Sequence, residues 1–438
     1  MEHTDKQLKE ATQIAYLSLL EKAENNMEAT GEPGPYSVGD LISSCIDLDS
    51  AYKACEAYGL FRDKVTLHDL VSHSDLTDED KERISLFTDE MFSWKIVDIN
   101  DFNQENGLYS CIIETEPDTA IVAFRGSENM KKYANLVHDW AKADFGLFNS
   151  EETSQQKAVE AYLEDLSKLS VLDKYNSIDV TGHSLGGNLA SHFTVASAKD
   201  GREAIFNKIN KTVNFDGPGV SDEYLKAHEA EIAKAAPKIT HYSWSAVGEV
   251  LFSLPGEKKE FLAINDDLHK DGLLDRLKYK TLLRHDTRSL LFDEDGNAKR
   301  GKQDLFSMTM SGLSKFADKT IPAELSNDVF AVISSVFKKF TYEKEDGSIG
   351  FKLPFMKVKE EHKKNPFCLK CGEVLKNAFE NIKNKLHLFG RGESEKKSGL
   401  EDTFSGIQGD NDVRASSVNS LINTLGKDMG KEEAAYAR

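Results

Sequence analysis

The chain has 438 residues, long enough for one large domain with appendages or for two or three ordinary ones. With 39% hydrophobic and 29% charged residues it can bury a sizeable core, which excludes global disorder. A net charge of −19 argues against general nucleic-acid binding, because phosphate backbones repel such a surface.

The five cysteines, Cys45, Cys55, Cys111, Cys368 and Cys371, are too few and too scattered for a disulfide framework, so a reducing compartment is expected. The N-terminus shows no basic segment followed by an apolar one, and no run of about 18 apolar residues occurs. The expected location is cytoplasmic, or outside the cell by export without a cleaved signal peptide, with no transmembrane segment.

In chain order, residues 1–90 read as a helical N-terminal region. Thr4 caps a helix whose apolar positions Leu8, Ala11, Ala15 and Leu19 recur at three- and four-residue spacing. Thr77-Asp78-Glu79-Asp80 opens another, with acids in its first turn. From 91 to 300 the pattern becomes strand–helix alternation. Strands are predicted at Ser110–Glu114, Thr119–Phe124, Ser177–Thr181, Thr212–Phe215 and Ile239–Ser243, with helices near 154–169 and 185–199. Such alternation implies an α/β domain on a mainly parallel sheet. Residues 301–391 read as a helical, basic C-terminal region, in which Val329, Phe330, Val332, Ile333, Val336, Phe337 and Phe340 trace one helix face. Residues 392–438 read as a flexible tail.

The informative stretch is Thr181-Gly182-His183-Ser184-Leu185-Gly186-Gly187-Asn188-Leu189-Ala190. Gly182-x-Ser184-x-Gly186 has the form of a nucleophile elbow, in which a serine on a sharp strand-to-helix turn tolerates only small neighbours two positions away. The competing reading is a glycine-rich turn with an ordinary serine helix cap. Upstream, Ala120–Ser127 is a buried-strand run ending in Arg125-Gly126-Ser127. A tetrahedral intermediate needs two preorganised donors, and the N–H groups of Leu185 and Ser127 fit those places.

The base should follow in the chain. His285, in Leu283-Arg284-His285-Asp286-Thr287, is favoured, with His269 as the alternative base. For the acid, Asp216 in Asn214-Phe215-Asp216-Gly217-Pro218-Gly219 stands at the carboxyl end of a predicted strand; Glu249 is the alternative acid.

Together Ile121–Ser127 and Thr181–Ala190 resemble the class 3 (fungal-type) lipases, and adding Asn214–Gly219 and Arg284-His285-Asp286 points to a bacterial lipase-like branch. The resemblance spans residues 90–297. It implies an α/β-hydrolase core and a lipase or phospholipase that needs no cofactor. It supports Ser184 as nucleophile, His285 as base, and Ser127 and Leu185 as oxyanion donors. Class 3 lipases usually carry their acid in a D-x-V-x-x-L-P segment, which here begins with Glu249, so the acid is either Glu249 or, as in the bacterial branch, Asp216. The resemblance also implies a lid in Met130–Phe148, with Trp140, Phe145 and Phe148 as its apolar contributors.

Other readings stay open: a small-ester esterase or thioesterase, a non-catalytic binding module on the same fold, or a lipid-attacking secreted effector. The lone pair Cys368 and Cys371, even with His387, is too incomplete for zinc, so no metal is expected. Residues 338–391 carry 13 Lys/Arg against 7 Asp/Glu and interleave them with aromatics, a pattern suited to peripheral contact with an anionic membrane or a protein partner.

Overall fold

The computed structural model describes residues 2–18, 36–102, 107–126, 151–265 and 285–303, with residue 20, residue 147, a few positions in 307–318, and 341–343 and 349–351. The chain divides into units 1–367 and 368–438, and all these residues belong to the first. Ser127, His269, the proposed lid apart from Leu147, the helix face of 329–340, and both Cys368 and Cys371 lie outside the described residues.

Eight strands form one sheet in sequence order: β1 (Tyr36–Ser37), β2 (Lys95–Phe102), β3 (Leu108–Glu116), β4 (Thr119–Phe124), β5 (Ser177–His183), β6 (Ile209–Phe215), β7 (Ile239–Ser243) and β8 (Lys258–Phe261). The first four pair antiparallel; from β4 onward every pairing is parallel. The parallel half needs crossovers. They are α7 (Ser154–Leu169) between β4 and β5, α8 (Leu185–Ser197) and α9 (Glu203–Lys208) between β5 and β6, and α10 (Asp222–Ala227) and α11 (Glu229–Ala235) before β7. In the N-terminal region lie α1 (Asp5–Ala15), α2 (Val38–Ser44), α3 (Leu48–Ala57), α4 (Leu67–Ser72), α5 (Asp78–Ile84) and α6 (Asp89–Ser93).

Side-chain parity along the strands sorts the core into two layers. Ala120, Val122 and Phe124 of β4, with Ile178 and Val180 of β5, pack on Val159, Leu163 and Phe193 of α7 and α8. Ile121 and Ala123, pointing the other way, join Leu8, Ala11 and Ile14 of α1, together with Val213, Phe215 and Tyr242. A strand covered on both faces reads as an unbroken apolar run, which is why all six residues of β4 are buried. The result is a three-layer α/β-hydrolase core.

The N-terminal region is therefore part of the same packing. Thr4 caps α1 through a capping box with Gln7. Around the apolar stripe, buried polar groups in and before α1 find partners across the fold: Asp5 accepts from the Tyr242 hydroxyl (2.8 Å) and the Ala298 amide (3.0 Å), and His3 bridges Asp179 and Thr115 at 2.7 Å each.

The predicted strands and the helices at 154–169 and 185–197 recur within a few residues, and Thr77 caps α5. Missing from the expectation are β1, β2 and β8. Two residues of β1 carry no pattern, a bulge between Ile96 and Asp98 breaks the alternation of β2, and Lys258-Lys259-Glu260 of β8 is charged, as an edge strand is. Within the C-terminal region read as helical, Thr341–Glu343 and Ile349–Phe351 pair antiparallel as β9 and β10. Among the described residues no helix is long and apolar enough to cross a membrane.

If α1 is part of the hydrolase core, Ile14→Ala, at a position with no solvent exposure, should destabilise the whole domain by about 2–5 kcal/mol. Urea unfolding followed by tryptophan fluorescence should show one shifted transition; an unchanged midpoint would refute the packing role of α1.

Candidate active site

The end of β5 and the start of α8 place Ser184 in an unusual backbone conformation, φ 59° and ψ −135°. An ordinary serine cap has extended backbone and accepts an amide of the first turn with its side chain. Ser184 does neither, since α8 has no side-chain cap hydrogen bond. Its amide instead donates to Phe215 O at 2.9 Å, tying the elbow to the end of β6.

The flanking glycines are required by contact. A Cβ on Gly182 would stand 2.1 Å from Gly186 O, and one on Gly186 2.3 Å from Phe124 O. Neither neighbour is a side chain that can move aside, so the G-x-S-x-G spacing is a packing constraint among β4, β5 and α8. Leu185 is the first residue of α8, and its N–H belongs to the first-turn amides with no acceptor inside the helix.

Asp216 follows β6 with φ 53° and no exposure to solvent. Two asparagines hold the turn that carries it. Asn214 Oδ1 accepts the Gly217 amide (2.8 Å), and Asn188, on α8, donates to the carbonyls of Pro218 (3.2 Å) and Gly219 (2.9 Å). One oxygen of Asp216 accepts the amides of Trp244 (2.9 Å) and Ser245 (3.1 Å); the other lies 2.7 Å from His285 Nδ1. Burial alone would raise its pKa, but the hydrogen bond and charge of His285, with those from Ser245 and Trp244, bring it down to about 2.

An ionised carboxylate only accepts, so His285 Nδ1 carries the proton and the lone pair of the neutral ring sits on Nε2. That Nε2 is buried and has no hydrogen-bond partner among the described residues. The structure thus brings His285 and Asp216 into contact, and ties the elbow to the backbone around them: the Ser184 amide to Phe215 O, and His183 to the His285 carbonyl.

Glu249 is occupied elsewhere. Its carboxylate accepts from Ser243 (2.6 Å), Lys259 (3.0 Å) and Gln303 (2.6 Å). As an anchor for the segment after β7 it has a full set of partners, none of them a histidine.

Several contributors went unnoticed in the sequence. His183 donates from Nε2 to the His285 carbonyl (2.9 Å) and stacks on Trp244 with ring centroids 6.0 Å apart. Burial, followed by the nearby His285, lowers its pKa to about 3, so it is neutral and its tautomer is fixed. Ser245 Oγ lies 3.3 Å from His285 Nδ1. Tyr16, just past α1, accepts the Gly126 amide at 3.1 Å. His183 is the variable residue of the elbow motif, and Tyr16 lies 168 positions away, so no local pattern marks either.

Among the described residues Glu152, Glu160 and His192 lie close enough to share a metal ion. Both His192 nitrogens, however, are engaged, with Tyr224 Oη (2.7 Å) and Gln156 O (3.0 Å), and Lys199 pairs with both carboxylates. The group is a salt-bridged network.

The fold and this site define an α/β hydrolase with a strained elbow serine. A family model described as Mbeg1-like matches residues 89–258. No curated protein matches the chain. Solved structures that resemble it include a Penicillium expansum triacylglycerol lipase (16% identity, 39% of this chain and 70% of that one, TM-score 0.28). A Rhizopus microsporus lipase is similar at 15% identity (38% and 61%, TM-score 0.27), and M37 lipase at 12% (64% and 90%, TM-score 0.34). The chain spans about three fifths of the Rhizopus enzyme's length. At these scores the likeness says nothing of substrate.

The buried histidines set an acid limit. His183 and His192 both fall from 6.5 to about 3 in the folded chain, each through burial first. Below pH 6.5 the unfolded chain binds protons that the folded chain refuses, so stability rises with pH between about 3 and 6.5, by up to about 1.4 kcal/mol per pH unit for each histidine. Asp216 acts in the same direction lower down: its contribution is complete above its ordinary 3.8 and disappears as pH falls through about 2. Urea titrations from pH 4 to 6 should show this slope, and His192→Gln should remove about one proton from it. An unchanged slope in that variant would contradict the assignment.

Proposed function

We propose that this chain is a carboxylic ester hydrolase of the lipase type, with Ser184 as nucleophile, His285 as base and Asp216 as acid. One observation carries the reading: a buried His285–Asp216 contact of 2.7 Å leaves Nε2 with no partner among the described residues, and the residue preceding Ser184, a serine held at positive φ, is bonded to the His285 carbonyl. Hydroxyls do not attack esters at neutral pH without a base, and this arrangement supplies one.

In the reaction so read, His285 Nε2 takes the Ser184 proton as Oγ adds to the acyl carbon. The Leu185 amide, at the N-terminus of α8, and the Ser127 amide hold the oxyanion. The imidazolium beside Asp216 then protonates the leaving alcohol, and water releases the acyl group by the same steps. Asp216 stays ionised throughout, which its low pKa favours. A lid in Met130–Phe148 and membrane contact through 338–391, both expected from the sequence alone, favour an aggregated lipid as substrate in this reading; a small ester or thioester is the second choice.

The test is labelling with a fluorescent fluorophosphonate, native chain against Ser184→Ala. Labelling should vanish in the variant, and absence of labelling in the native chain with and without detergent would leave a hydrolase fold used for binding. On an ester substrate Asp216→Asn should lower kcat by roughly 10⁴-fold through loss of the correct His285 tautomer. Glu249→Gln should stay within a few-fold of native. The opposite ranking would move the acid to Glu249.

A further inference from the structure

Tyr16 is delivered to the elbow by α1, from outside the segment that carries the catalytic motifs. Its hydroxyl accepts the Gly126 amide at 3.1 Å. The point where a Cβ on Gly126 would stand lies 2.5 Å from that hydroxyl and 3.0 Å from the Ser184 Cβ. Hydroxyl and nucleophile therefore flank the same spot, at the end of the strand that leads into the oxyanion loop.

What the hydroxyl does with its own proton is the informative part. Its two acceptors are His183 Nδ1 and His183 O, both at 3.4 Å. An O–H donor ordinarily sits 2.7–2.8 Å from its acceptor, so this proton is weakly held at rest. One guanidinium stands over the ring, that of Arg83, 4.7 Å from its centroid; the other nearby, that of Arg125, lies over Tyr109. Burial, set against Arg83, the Gly126 amide and Arg125, pushes the phenol up to about 12, so it keeps its proton at any working pH. An amide donating into its lone pair makes the O–H a better donor. The placement is fixed from behind, since Gln13 of α1 binds Arg83 (2.7 Å) and Thr287 (2.9 Å), two residues beyond His285.

Resting on the reading of Ser184 as nucleophile, we propose that the Tyr16 hydroxyl is a third oxyanion donor, a catalytic residue supplied by the N-terminal helix. As Ser184 Oγ bonds to the acyl carbon and its proton passes to His285 Nε2, the carbonyl π electrons move to oxygen. That oxygen then accepts the Tyr16 O–H, in place of the long contacts to His183. Tyr16 keeps its proton. When the intermediate collapses the C=O re-forms, the alcohol leaves with the proton from His285, and the Tyr16 hydroxyl returns to rest.

The experiment compares Tyr16→Phe and a chain carrying 2,3,5-trifluorotyrosine at position 16 with the native enzyme on a soluble ester. Tyr16→Phe should lower kcat by about 10²–10³-fold with little change in KM, the loss typical of one oxyanion donor. The fluorinated phenol ionises at lower pH, and once ionised it cannot donate. A new alkaline limb should therefore appear in its kcat/KM profile, absent from the native one. A fluorinated chain with a flat alkaline profile would overturn the proposal, leaving Tyr16 only as a support for Gly126, which a phenolate accepts from equally well. Unchanged kcat in Tyr16→Phe would overturn it too. Should Tyr16→Phe fail to fold, the fluorinated chain, which keeps the hydroxyl's shape, decides alone. Hydrolysis that survives Ser184→Ala would instead sink the nucleophile assignment itself.

Discussion

One buried carboxylate organises the end of the sheet that carries the candidate site. Asp216 has no solvent contact and still holds a negative charge, a state that costs several kcal/mol unless donors surround it. The amides of Trp244 and Ser245 and the ring of His285 meet that need. The donors come from two stretches of chain, the residues just after β7 and the segment after β8, so satisfying the charge draws both to the end of β6. The positive φ of Asp216, unusual for a residue with a side chain, is maintained by Asn188 and Asn214. Remove the carboxylate and three donors lose the reason they converge.

The second constraint is steric. β4, β5 and the start of α8 approach so closely at Gly182 and Gly186 that backbone carbonyls occupy the space a Cβ would take. This closeness forces Ser184 into its strained turn. Strain and charge thus act at neighbouring strand ends, and the sheet, covered on both faces, is stiff enough to hold both.

What the sequence made legible follows from how local each signal is. The elbow could be read because its glycines and serine are consecutive, and β4 because a strand buried on both sides is apolar throughout. Asp216 and His285 could be listed as candidates from their place after the elbow. Between Asp216 and Glu249 no local signal decides, since both end strands or adjoin them; in space Asp216 meets His285, whereas Ser243, Lys259 and Gln303 occupy Glu249. Tyr16 was illegible, because its place beside Gly126 depends on α1 packing under β4 and β5, and no spacing rule connects residue 16 to residue 126. Polar residues buried in α1, such as Asp5 and Lys9, also hid how much of that helix is interior.

The reach of α1 has a consequence for how the molecule comes into being. Asp5 and Lys6 are made almost three hundred residues before their partners Ala298 and Gly296. The strands that α1 packs on are complete by residue 215, but the hydrogen bonds that fix its first turn wait for residues 296–298. Closing so long a loop is slow and comes late. The first turn of α1 is therefore the part of this packing that is secured last, once the segment after β8 has been made.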